Sequence, residues 1–459
     1  MQVLKFGGTS VGRPDRMKSV AEIITRNNEP KIVVLSALSG TTNALVSIGE
    51  SLAADNREAA KEKIEILRTH YNGFISELLS TEAKRTEANA VINEHFEFFS
   101  ITLKISFNEA LNRDILAQGE LMSTKLFTLY LQEIGISAAL LPALDFMRTN
   151  EEGEPDLDLI TDRLAGKLKE FQETPLLITQ GYICKNYKGE IDNLQRGGSD
   201  YTASLIGAAC RASEIQIWTD IDGMHNNDPR VVDKTYPIAE LSFDEAAELA
   251  YFGAKILHPA SIWPAQKYSI PVKLLNTLQP EAKGTVISKS TSPADVKAIA
   301  AKDGITAIKV KSTRMLLAYG FLRKIFEIFE KYRTPIDMIT TSEVAVSVTI
   351  DDDEYLEKIT QELSQFGEVE IDKDQTIICV VGNFVAEQKG IVNKTFESLS
   401  DIPIRMISYG GSRHNISLLT DSANKERALK QLNEHLFGLW HQFIVNLGSV
   451  CKDQQTQIG

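Results

Sequence analysis

The sequence predicts an α/β domain built on a mainly parallel sheet with helices on both faces, followed by two copies of a smaller α+β module. Three observations support this prediction. Apolar runs of strand length alternate with helical patterns over residues 1–290, an order typical of parallel sheets covered by helices. A stretch rich in Lys, Ser and Thr, at 283–295, indicates a domain boundary. Beyond this boundary, one order of elements occurs twice.

The strands of the first domain are predicted from short apolar runs bounded by turn residues. They lie at 31–36, 137–141, 175–181, 215–219 and 271–275. Helical periodicity fills much of the chain between them, notably at 114–135, 156–171 and 242–252. Residues 51–112 are charged, nearly free of Gly and Pro, and helical throughout. We expect them to form a helical excursion that packs on the sheet domain, and the sequence assigns them no chemistry.

The repeat in the second half of the chain rests on two similar segments. TPIDMIT at 334–340 recurs as IPIRMIS at 402–408. Each copy follows a helical stretch, at 321–331 or 389–399, and precedes an alternating strand, at 344–350 or 414–419. Because the whole βαββ order recurs, two copies of one module explain the pattern better than a chance similarity of two Pro-initiated strands.

Composition excludes several classes of protein. The 459 residues are enough for two or three domains, and the formal net charge of −13 argues against general nucleic-acid binding. No apolar run approaches the roughly 20 residues of a membrane span, and the first residues do not resemble a secretion signal. The four cysteines are scattered without a CxxC pair, which indicates buried or free thiols in a reducing compartment and neither a disulfide framework nor a zinc site. We therefore expect a cytoplasmic protein with no nucleic-acid or membrane partner.

The first twelve residues carry the most informative motif. A short apolar strand delivers Lys5, Gly7 and Gly8 into a turn, and a helical pattern follows from residue 14. Glycines let backbone N–H groups approach an anion, and a lysine adds positive charge for a phosphate. The spacing of Gly7 and Gly12 imitates a P-loop, but Arg-Pro stands where that loop needs Lys and Ser or Thr. The motif predicts half of a phosphate site, and a Gly-rich turn without a ligand is the alternative.

Five later stretches place polar residues at the ends of predicted strands or helices, where open α/β sheets bind ligands. They are ALSGTTN at 37–43, QGE at 118–120, RGGSDYT at 196–202, WTDIDGMHNNDPR at 218–230 and FGAKILHP at 252–259. Taken singly, the first two are more simply a helix N-cap and a solvated glutamate. In the third, an Arg and an Asp stand on either side of GGS, although a capped Gly-rich turn would need neither. Arginine binds carboxylates bidentately, so this stretch favours a ligand site.

The last two stretches suit a nucleotide. The acidic turn at 218–230 follows a buried strand and could contact adenine or ribose, with Arg230 on a phosphate; the alternative is a surface loop. His225 has no second histidine at metal-ligand spacing, so the sequence predicts no protein metal centre. The stretch at 252–259 adds a second lysine, Lys255, and its alternative is a helix C-cap.

The types of residue in these stretches indicate a reaction class. The sequence contains no nucleophile elbow and no HExxH motif. It offers two lysines, two arginines, Gly-rich turns and a few acids. These groups suit the positioning and charge neutralisation of a transferred phosphoryl group, which needs no covalent nucleophile.

Taken together, the stretches resemble the aspartate kinases of the amino-acid kinase family. The motifs KFGGTSV at 5–11, RGGSDYTA at 196–203, WTDIDG at 218–223, DPR at 228–230 and FGAKILHP at 252–259 occur in that family's order. The resemblance covers essentially the whole chain, including two C-terminal modules of the ACT type. It implies an amino-acid kinase catalytic domain at 1–285, a first ACT domain at 296–373, completed by 438–450, and a second ACT domain at 374–437. The strand that returns to the first module is expected at 443–447.

The resemblance also implies a reaction and its residues. The enzyme would transfer the γ-phosphoryl group of ATP, bound with Mg²⁺, to the side-chain carboxylate of L-aspartate. The implied catalytic residues are Lys5 and Asp200. The implied aspartate-binding residues are Ser36, Thr42, Glu120, Arg196 and Ser199. The implied nucleotide-binding residues are Lys5, Gly7, Gly8, Thr219, Asp220, His225, Arg230, Lys255 and Ile256, although many relatives carry Tyr or Phe in place of His225.

The two ACT-type modules carry no catalytic pattern, so regulation is their expected role. Such modules usually pair edge to edge, which implies a homodimer or a higher homo-oligomer. The segments 315–322 and 337–343 resemble lysine-inhibited relatives and imply L-lysine as the effector. The implied effector residues are Met315, Phe321, Leu322, Asp337, Thr341, Ser342 and Glu343. Asp337 and Glu343 would pair with the two ammonium groups of lysine; the alternative is that both acids are solvated strand ends.

Three other functions remain as alternatives. A related kinase for glutamate, N-acetylglutamate or UMP would share the fold without needing Thr42, Glu120 and Arg196 or the ACT modules. A catalytically silent amino-acid sensor is disfavoured because Lys5, Asp200 and Lys255 are present. A bifunctional kinase–dehydrogenase is disfavoured because the sequence contains no GxGxxG dinucleotide fingerprint.

Overall fold

The computed structural model describes residues 1–194, 197–253, 257–289, 296–312 and 319–438. The chain forms two compact units. The first unit comprises Met1–Met224, Ala239–Phe243 and Lys255–Ser290, and the second comprises His225–Ile238, Asp244–Ala254 and Thr291–Gly459.

The compact units differ from the predicted domain boundaries at two segments. Residues 225–238 and 244–254 precede the Lys/Ser/Thr-rich stretch, yet both belong to the second unit. Contacts within that unit explain the first segment. The backbone carbonyl of Asn226 accepts a hydrogen bond from the Ile299 N–H at 2.8 Å. Val232 is buried in an apolar cluster that also contains Ile299.

Eight strands of the described residues form the sheet of the first unit, in the order β3-β4-β2-β1-β7-β9-β10-β8. The first six are mutually parallel, and β10 runs antiparallel to β9. The mainly parallel sheet of the prediction is therefore confirmed. The strands are β1 (Gln2–Phe6), β2 (Lys31–Leu35), β3 (Ala139–Leu140), β4 (Leu176–Gln180), β7 (Glu214–Thr219), β8 (Glu240–Ser242), β9 (Val272–Asn276) and β10 (Thr285–Ser288). A separate hairpin pairs β5 (Ile183–Lys185) with β6 (Ile191–Asn193).

Helices make up most of the remaining chain of the first unit. The sequence predicts the main ones to within a few residues at each end. They are α1 (Gly8–Val11), α2 (Pro14–Ile24), α3 (Thr41–Ala53), α4 (Arg57–Leu78), α5 (Glu82–Thr102), α6 (Glu109–Glu133), α7 (Ala143–Phe146), α8 (Leu157–Leu168), α9 (Gly198–Ala209) and α11 (Pro259–Tyr268). The helix α10 (Phe243–Tyr251) begins in the first unit and continues into the second.

The helical excursion at 51–112 is confirmed, with short connections between α3, α4, α5 and α6. Asn56 and Asn108 accept hydrogen bonds from backbone N–H groups of α4 and α6, so each starts its helix as an N-cap. Tyr71 of α4 and Phe96 of α5 are fully buried in the same apolar cluster as strand residues such as Val33. The excursion is therefore part of the main core of the first unit.

The second unit is built on an antiparallel sheet, which within the described residues has the order β12-β13-β11-β14-β16-β15. The repeated βαββ pattern is confirmed, since both copies show a strand, a helix and two further strands in that order. The elements are β11 (Ala298–Lys311), α12 (Phe321–Lys331), β12 (Ile339–Thr341), β13 (Ala345–Ile350), α13 (Leu356–Leu363), β14 (Glu368–Val381), α14 (Ile391–Ser398), β15 (Met406–Ser408), β16 (Asn415–Asp421) and the helical residues 425–438, α15.

The two modules share the long strands β11 and β14. The ladder between these strands shifts register between Lys302 and Ala307, and Asp374 in β14 has a φ of 56°. One apolar core contains Ile308 from the second half of β11, and the other contains Ile299 from its first half. Each module thus uses one half of each long strand. The returning strand expected at 443–447 lies outside the described residues.

No helix in the described part of the chain combines the length and the apolar character that crossing a membrane would require.

Candidate active site

The carboxyl ends of four neighbouring strands bring the predicted motifs together. Phe6 of β1 pairs in register with Leu35 of β2 and Trp218 of β7, and Leu35 pairs with Gln180 of β4. The residues that follow these strand ends therefore start from one edge of the sheet. Ligands of open α/β sheets bind at this edge.

Lys5 and Asp200 form an ion pair at this edge. Lys5 Nζ lies 2.6 Å from Asp200 Oδ1, and the two side chains are 12% and 17% exposed. Lys5 is on β1, and Asp200 is in the first turn of α9. Gly197, the N-cap of α9, has a φ of 67°, which favours glycine. The GGS turn therefore places Asp200 beside the first lysine.

The glycines after β1 are needed for close packing. A Cβ on Gly8 would lie 3.2 Å from the Ala37 carbonyl oxygen, and a Cβ on Gly12 would overlap the Cβ of Ser39. This loop therefore lies directly against the loop that follows β2. The structure adds the short helix α1 to the predicted turn, and the predicted helix at residue 14 begins as expected.

Hydroxyl groups join the loop after β2 to the RGGSD turn. Ser36 Oγ donates to Ser199 Oγ at 2.9 Å, and Ser123 Oγ of α6 donates to the Ser36 carbonyl oxygen at 2.8 Å. Thr42 is exposed in the first turn of α3. Arg196 lies outside the described residues.

Glu120 is not the solvated glutamate that its motif alone suggests. The residue is 4% exposed, and its carboxylate accepts a hydrogen bond from the Ala37 N–H at 3.2 Å. Burial raises the pKa of the Glu120 carboxyl to about 7, although the bond from Ala37 opposes this shift. A carboxyl group whose pKa lies near neutral pH, next to the loop after a strand, is a typical feature of functional sites.

Two residues at the end of β4 were not singled out from the sequence. A Cβ on Gly181 would overlap the side chain of Ser199. Tyr182 has a φ of 66°, a strained conformation for a residue with a side chain, and its N–H donates to Thr202 Oγ1 at 2.9 Å. The QGY sequence, a glycine directly after a buried strand, is the signal that could have indicated them.

The predicted nucleotide residues fall into three groups. Thr219 ends β7 in the first unit, and its hydroxyl donates to Asp220 Oδ1 at 3.1 Å. His225 and Arg230 belong to the second unit. There Arg230 pairs with Asp228 at 2.7 Å, and its hydrogen bond lowers the pKa of the Asp228 carboxyl. Lys255 and Ile256 lie outside the described residues.

The predicted effector residues have different surroundings in the second unit. Phe321 is buried in the core that contains Ile308, and Leu322 is exposed. Thr341, Ser342 and Glu343 are exposed at the end of β12 and in the turn that follows. Met315 lies outside the described residues.

Asp337 is not a solvated strand end. Its side chain is 1% exposed, and Lys302 Nζ lies 2.7 Å from its Oδ1. Burial raises the pKa of the Asp337 carboxyl, although the neighbouring lysine opposes the shift. An effector ammonium that binds this carboxylate would have to share it with Lys302 or displace the lysine.

Family models match both parts of the chain. The model described as the amino acid kinase family matches residues 1–276, and a model of the ACT domain matches residues 378–436. The chain belongs to the amino acid kinase family. Its relatives within that family are aspartokinases. Lysine-sensitive aspartokinase 3 of Escherichia coli is 35% identical over 447 residues, which cover 95% of this chain and 99% of the relative.

A plant relative and two solved structures extend this likeness. Chloroplastic aspartokinase 2 of Arabidopsis thaliana is 37% identical over 465 residues, covering 95% of this chain and 84% of the relative. The structure of E. coli aspartokinase III with aspartate and ADP, in the R-state, superposes with a TM-score of 0.83 at 35% identity, covering 95% of this chain and 100% of that one. The complex of the same enzyme with lysine and aspartate, in the T-state, gives a TM-score of 0.78 at 35% identity over 95% and 99% of the chains.

Proposed function

We propose that this member of the amino acid kinase family is an aspartate kinase. It transfers the γ-phosphoryl group of ATP to the side-chain carboxylate of L-aspartate and releases 4-phospho-L-aspartate and ADP. This is the first step in the biosynthesis of lysine, threonine and methionine. One observation supports the proposal most strongly: five of the predicted site residues lie together at one edge of the sheet. They are Lys5, Asp200, Ser36, Ser199 and Glu120.

The chemistry requires positioning and charge neutralisation. The acceptor carboxylate is already ionised at neutral pH, because the ordinary pKa of an aspartate side chain is about 3.9. The site therefore needs no strong general base. Lys5 offsets the negative charge on the phosphoryl oxygens, and Asp200 holds the ammonium group of Lys5 in place through their 2.6 Å pair.

Glu120 and Arg196 select the amino acid. The Glu120 carboxylate pairs with the α-ammonium group of aspartate, and the Arg196 guanidinium binds a carboxylate bidentately. Ser36, Thr42 and Ser199 supply hydroxyl groups. The nucleotide is held by Lys5, Gly7, Gly8, Thr219, Asp220, His225, Arg230, Lys255 and Ile256.

The residues present fit a magnesium ion bound mainly by the nucleotide. The described residues contain no group of three or more His, Cys, Asp or Glu side chains that could hold a metal. Mg²⁺ usually takes one or two carboxylates together with substrate phosphates. Asp200 Oδ1 is buried and, apart from the ion pair with Lys5, accepts no hydrogen bond within the described part of the chain. Asp200 would therefore hold the ion, which when bound neutralises phosphate charge.

A substrate panel tests the acceptor. ADP release is measured by a coupled assay with aspartate, glutamate or N-acetylglutamate at equal concentrations. We expect release with aspartate alone. Release with glutamate or N-acetylglutamate instead would favour the related kinases that share the fold. No release with any acceptor, from protein that binds ADP, would favour a silent sensor.

The second unit provides regulation by L-lysine. The E. coli relative has been solved with lysine, and Asp337 and Glu343 offer two acids for its two ammonium groups. The ACT modules also pair the chain into a homodimer or a higher homo-oligomer, and the protein acts in the cytoplasm. Inhibition requires lysine to bind an inactive arrangement more tightly than the active one.

The activity of the enzyme should fall as lysine is added. We expect Glu343→Ala and Thr341→Ile to relieve this inhibition and to leave the uninhibited kcat nearly intact, because both residues lie in the regulatory unit. Activity is measured against lysine concentration for the three proteins. A flat wild-type curve up to ~10 mM, which is already weak binding, would refute lysine control.

Substitution of Gly181 should affect the aspartate end of the site. Gly181→Ala places a Cβ where the Ser199 side chain lies, so Ser199 must shift, and the shift disturbs its hydrogen bond with Ser36. We expect the aspartate KM to rise about tenfold, the size of one lost hydrogen bond plus local strain, with a smaller change in the ATP KM. Gly166→Ala is the matched control, since a Cβ there meets no atom within 4 Å. Unchanged kinetics for aspartate in Gly181→Ala would remove Ser199 from the site.

A further inference from the structure

The helix α10 is attached to the regulatory unit by side chains along its length. Glu245 Oε2 lies 3.2 Å from Lys297 Nζ, and these side chains are 0% and 4% exposed. Glu248 accepts a hydrogen bond from the side-chain amide of Asn415. Tyr251, the last residue of α10, donates its hydroxyl to Asp337 Oδ1 at 2.9 Å. The end of α10 is thus bound to Asp337, which lies two residues before β12.

The chain that leaves α10 stays against the same sheet. Gly253 has a φ of 132°, and a Cβ there would overlap the Ala301 carbonyl oxygen. Its backbone therefore lies directly on β11, against Ala301. Two residues later the chain reaches Lys255, a proposed nucleotide-binding residue.

Tyr251, Lys302, Asp337 and Asp351 form one charged cluster, which we call the Tyr251 cluster. Lys302 Nζ lies 2.7 Å from Asp337 Oδ1 and 2.8 Å from Asp351 Oδ2. The same ammonium group lies 4.5 Å from the centre of the Tyr251 ring, a distance typical of a cation–π contact. Asp337 Oδ1 therefore accepts from both Tyr251 and Lys302.

Asp337 also stands at the start of the proposed effector segment. It lies two residues before β12, and the proposed effector residues Thr341, Ser342 and Glu343 follow along the same strand and its turn. The Asp337 carboxylate is therefore part of the proposed effector segment and also accepts a hydrogen bond from the last residue of α10.

We propose that Tyr251 is a positioning residue for nucleotide binding, and that its bond to Asp337 is the point at which the effector acts on the segment carrying Lys255. This inference rests on the proposed nucleotide role of Lys255. An effector ammonium bound to Asp337 competes with Tyr251 and Lys302 for the charge of this carboxylate, because its Oδ1 already accepts from both. Once Tyr251 is released, the last residue of α10 loses its hydrogen bond to Asp337. The contacts of Glu245, Glu248 and Gly253 then remain to hold this part of the chain on the regulatory sheet.

The full-length Tyr251→Phe protein tests the positioning role. This change removes the hydroxyl and keeps the ring beside Lys302. We expect the Kd for ADP, measured by calorimetry, and the KM for ATP to rise roughly three- to tenfold, the effect of one ordinary hydrogen bond, while the aspartate KM stays unchanged. Because ADP binding needs no acceptor, this result is independent of whether aspartate is the substrate.

Tyr332→Phe is the matched control. Its hydroxyl donates to Glu362 Oε1 at 2.6 Å in the same module, so it loses the same kind of bond away from α10. We expect wild-type ADP affinity for this variant. Unchanged ADP affinity in Tyr251→Phe, an equal loss in Tyr332→Phe, or an equal rise in the KM values of ATP and aspartate would each overturn the positioning role.

Lysine titrations test the coupling role. In the wild-type protein we expect saturating lysine to raise the Kd for ADP, within the roughly 5- to 150-fold range of ordinary allosteric coupling. In Tyr251→Phe the same titration should produce a smaller rise, although lysine still binds. An equal rise in the two proteins, or no rise in the wild type, would overturn the coupling role.

Discussion

Lys5→Ala should lower kcat by about 10²–10³, the usual cost of removing a group that stabilises charge in the transition state. Lys5 lies at the carboxyl end of β1, and Asp200 fixes its ammonium group at 2.6 Å. A lysine held in this way contributes most when negative charge is on the transferred phosphoryl oxygens. We therefore expect a smaller change in the KM for ATP than in kcat. The measurement is steady-state ADP release at saturating aspartate.

Lys18→Ala is a suitable control for the loss of a lysine. Lys18 is on α2, where its ammonium group donates to the Glu77 carbonyl oxygen. This variant should keep the wild-type kcat. A Lys5→Ala protein with wild-type kcat and an unchanged melting temperature would remove Lys5 from the catalytic assignment.

Glu120→Gln should raise the aspartate KM by roughly 10- to 100-fold, because a buried carboxylate paired with an ammonium group contributes about 1.5–3 kcal/mol. The substitution keeps the size of the side chain and an oxygen that can accept from the Ala37 N–H. It removes the negative charge that the substrate ammonium requires. The ATP KM should change little.

Glu133→Gln on the same helix is the control for this change. Its carboxylate accepts backbone N–H groups of Ser80 and Thr81 at the surface, so its loss should leave the aspartate KM unchanged. A proportional rise in the aspartate and ATP KM values of Glu120→Gln would indicate general damage to the site and would contradict the ammonium role.

The pKa of Glu120 adds a pH dependence to this prediction. Burial raises that pKa to about 7, so the carboxyl group gains a proton as the pH falls from 8 to 6. The protonated form has no negative charge for the substrate ammonium. The value of kcat/KM for aspartate, which reports the free enzyme, should therefore fall by about tenfold per pH unit below pH 7. In Glu120→Gln this decline should be absent; a decline that persists would assign it to another group.

The fold was predictable because its signals are local. β2 and β4 are continuous apolar runs, as expected for strands buried on both faces. The excursion at 51–112 has a helical pattern without Gly or Pro interruptions apart from Gly73. The repeat was visible because IPIRMIS and TPIDMIT occupy equivalent places in two copies of one module.

Long-range packing was not predictable in the same way. The segments 225–238 and 244–254 belong to the second unit because of contacts between residues far apart in the sequence, such as Asn226 with Ile299 and Glu245 with Lys297. The two modules share β11 and β14, and the ladder between these strands shifts register. The periodicity of apolar residues in the sequence does not reveal this shift. Boundaries drawn from composition therefore miss both features.

The candidate site was predictable in its motifs and less so in its environment. Lys5 and Asp200 were named together and lie in contact. The sequence alone favoured a solvated Glu120, whereas burial makes it a carboxyl with a raised pKa. The pairing of Asp337 with Lys302 and the strained backbone of Tyr182 arise from tertiary packing, so single-sequence patterns could not show them.

Trapping of the product tests the central claim most directly. The protein is incubated with ATP, Mg²⁺ and L-aspartate in the presence of hydroxylamine, which converts an acyl phosphate into a stable hydroxamate. We predict that aspartyl hydroxamate forms in a one-to-one ratio with ADP and that Lys5→Ala reduces both together. Release of ADP without hydroxamate would show that the phosphoryl group does not reach the aspartate carboxylate, and would contradict the proposed function.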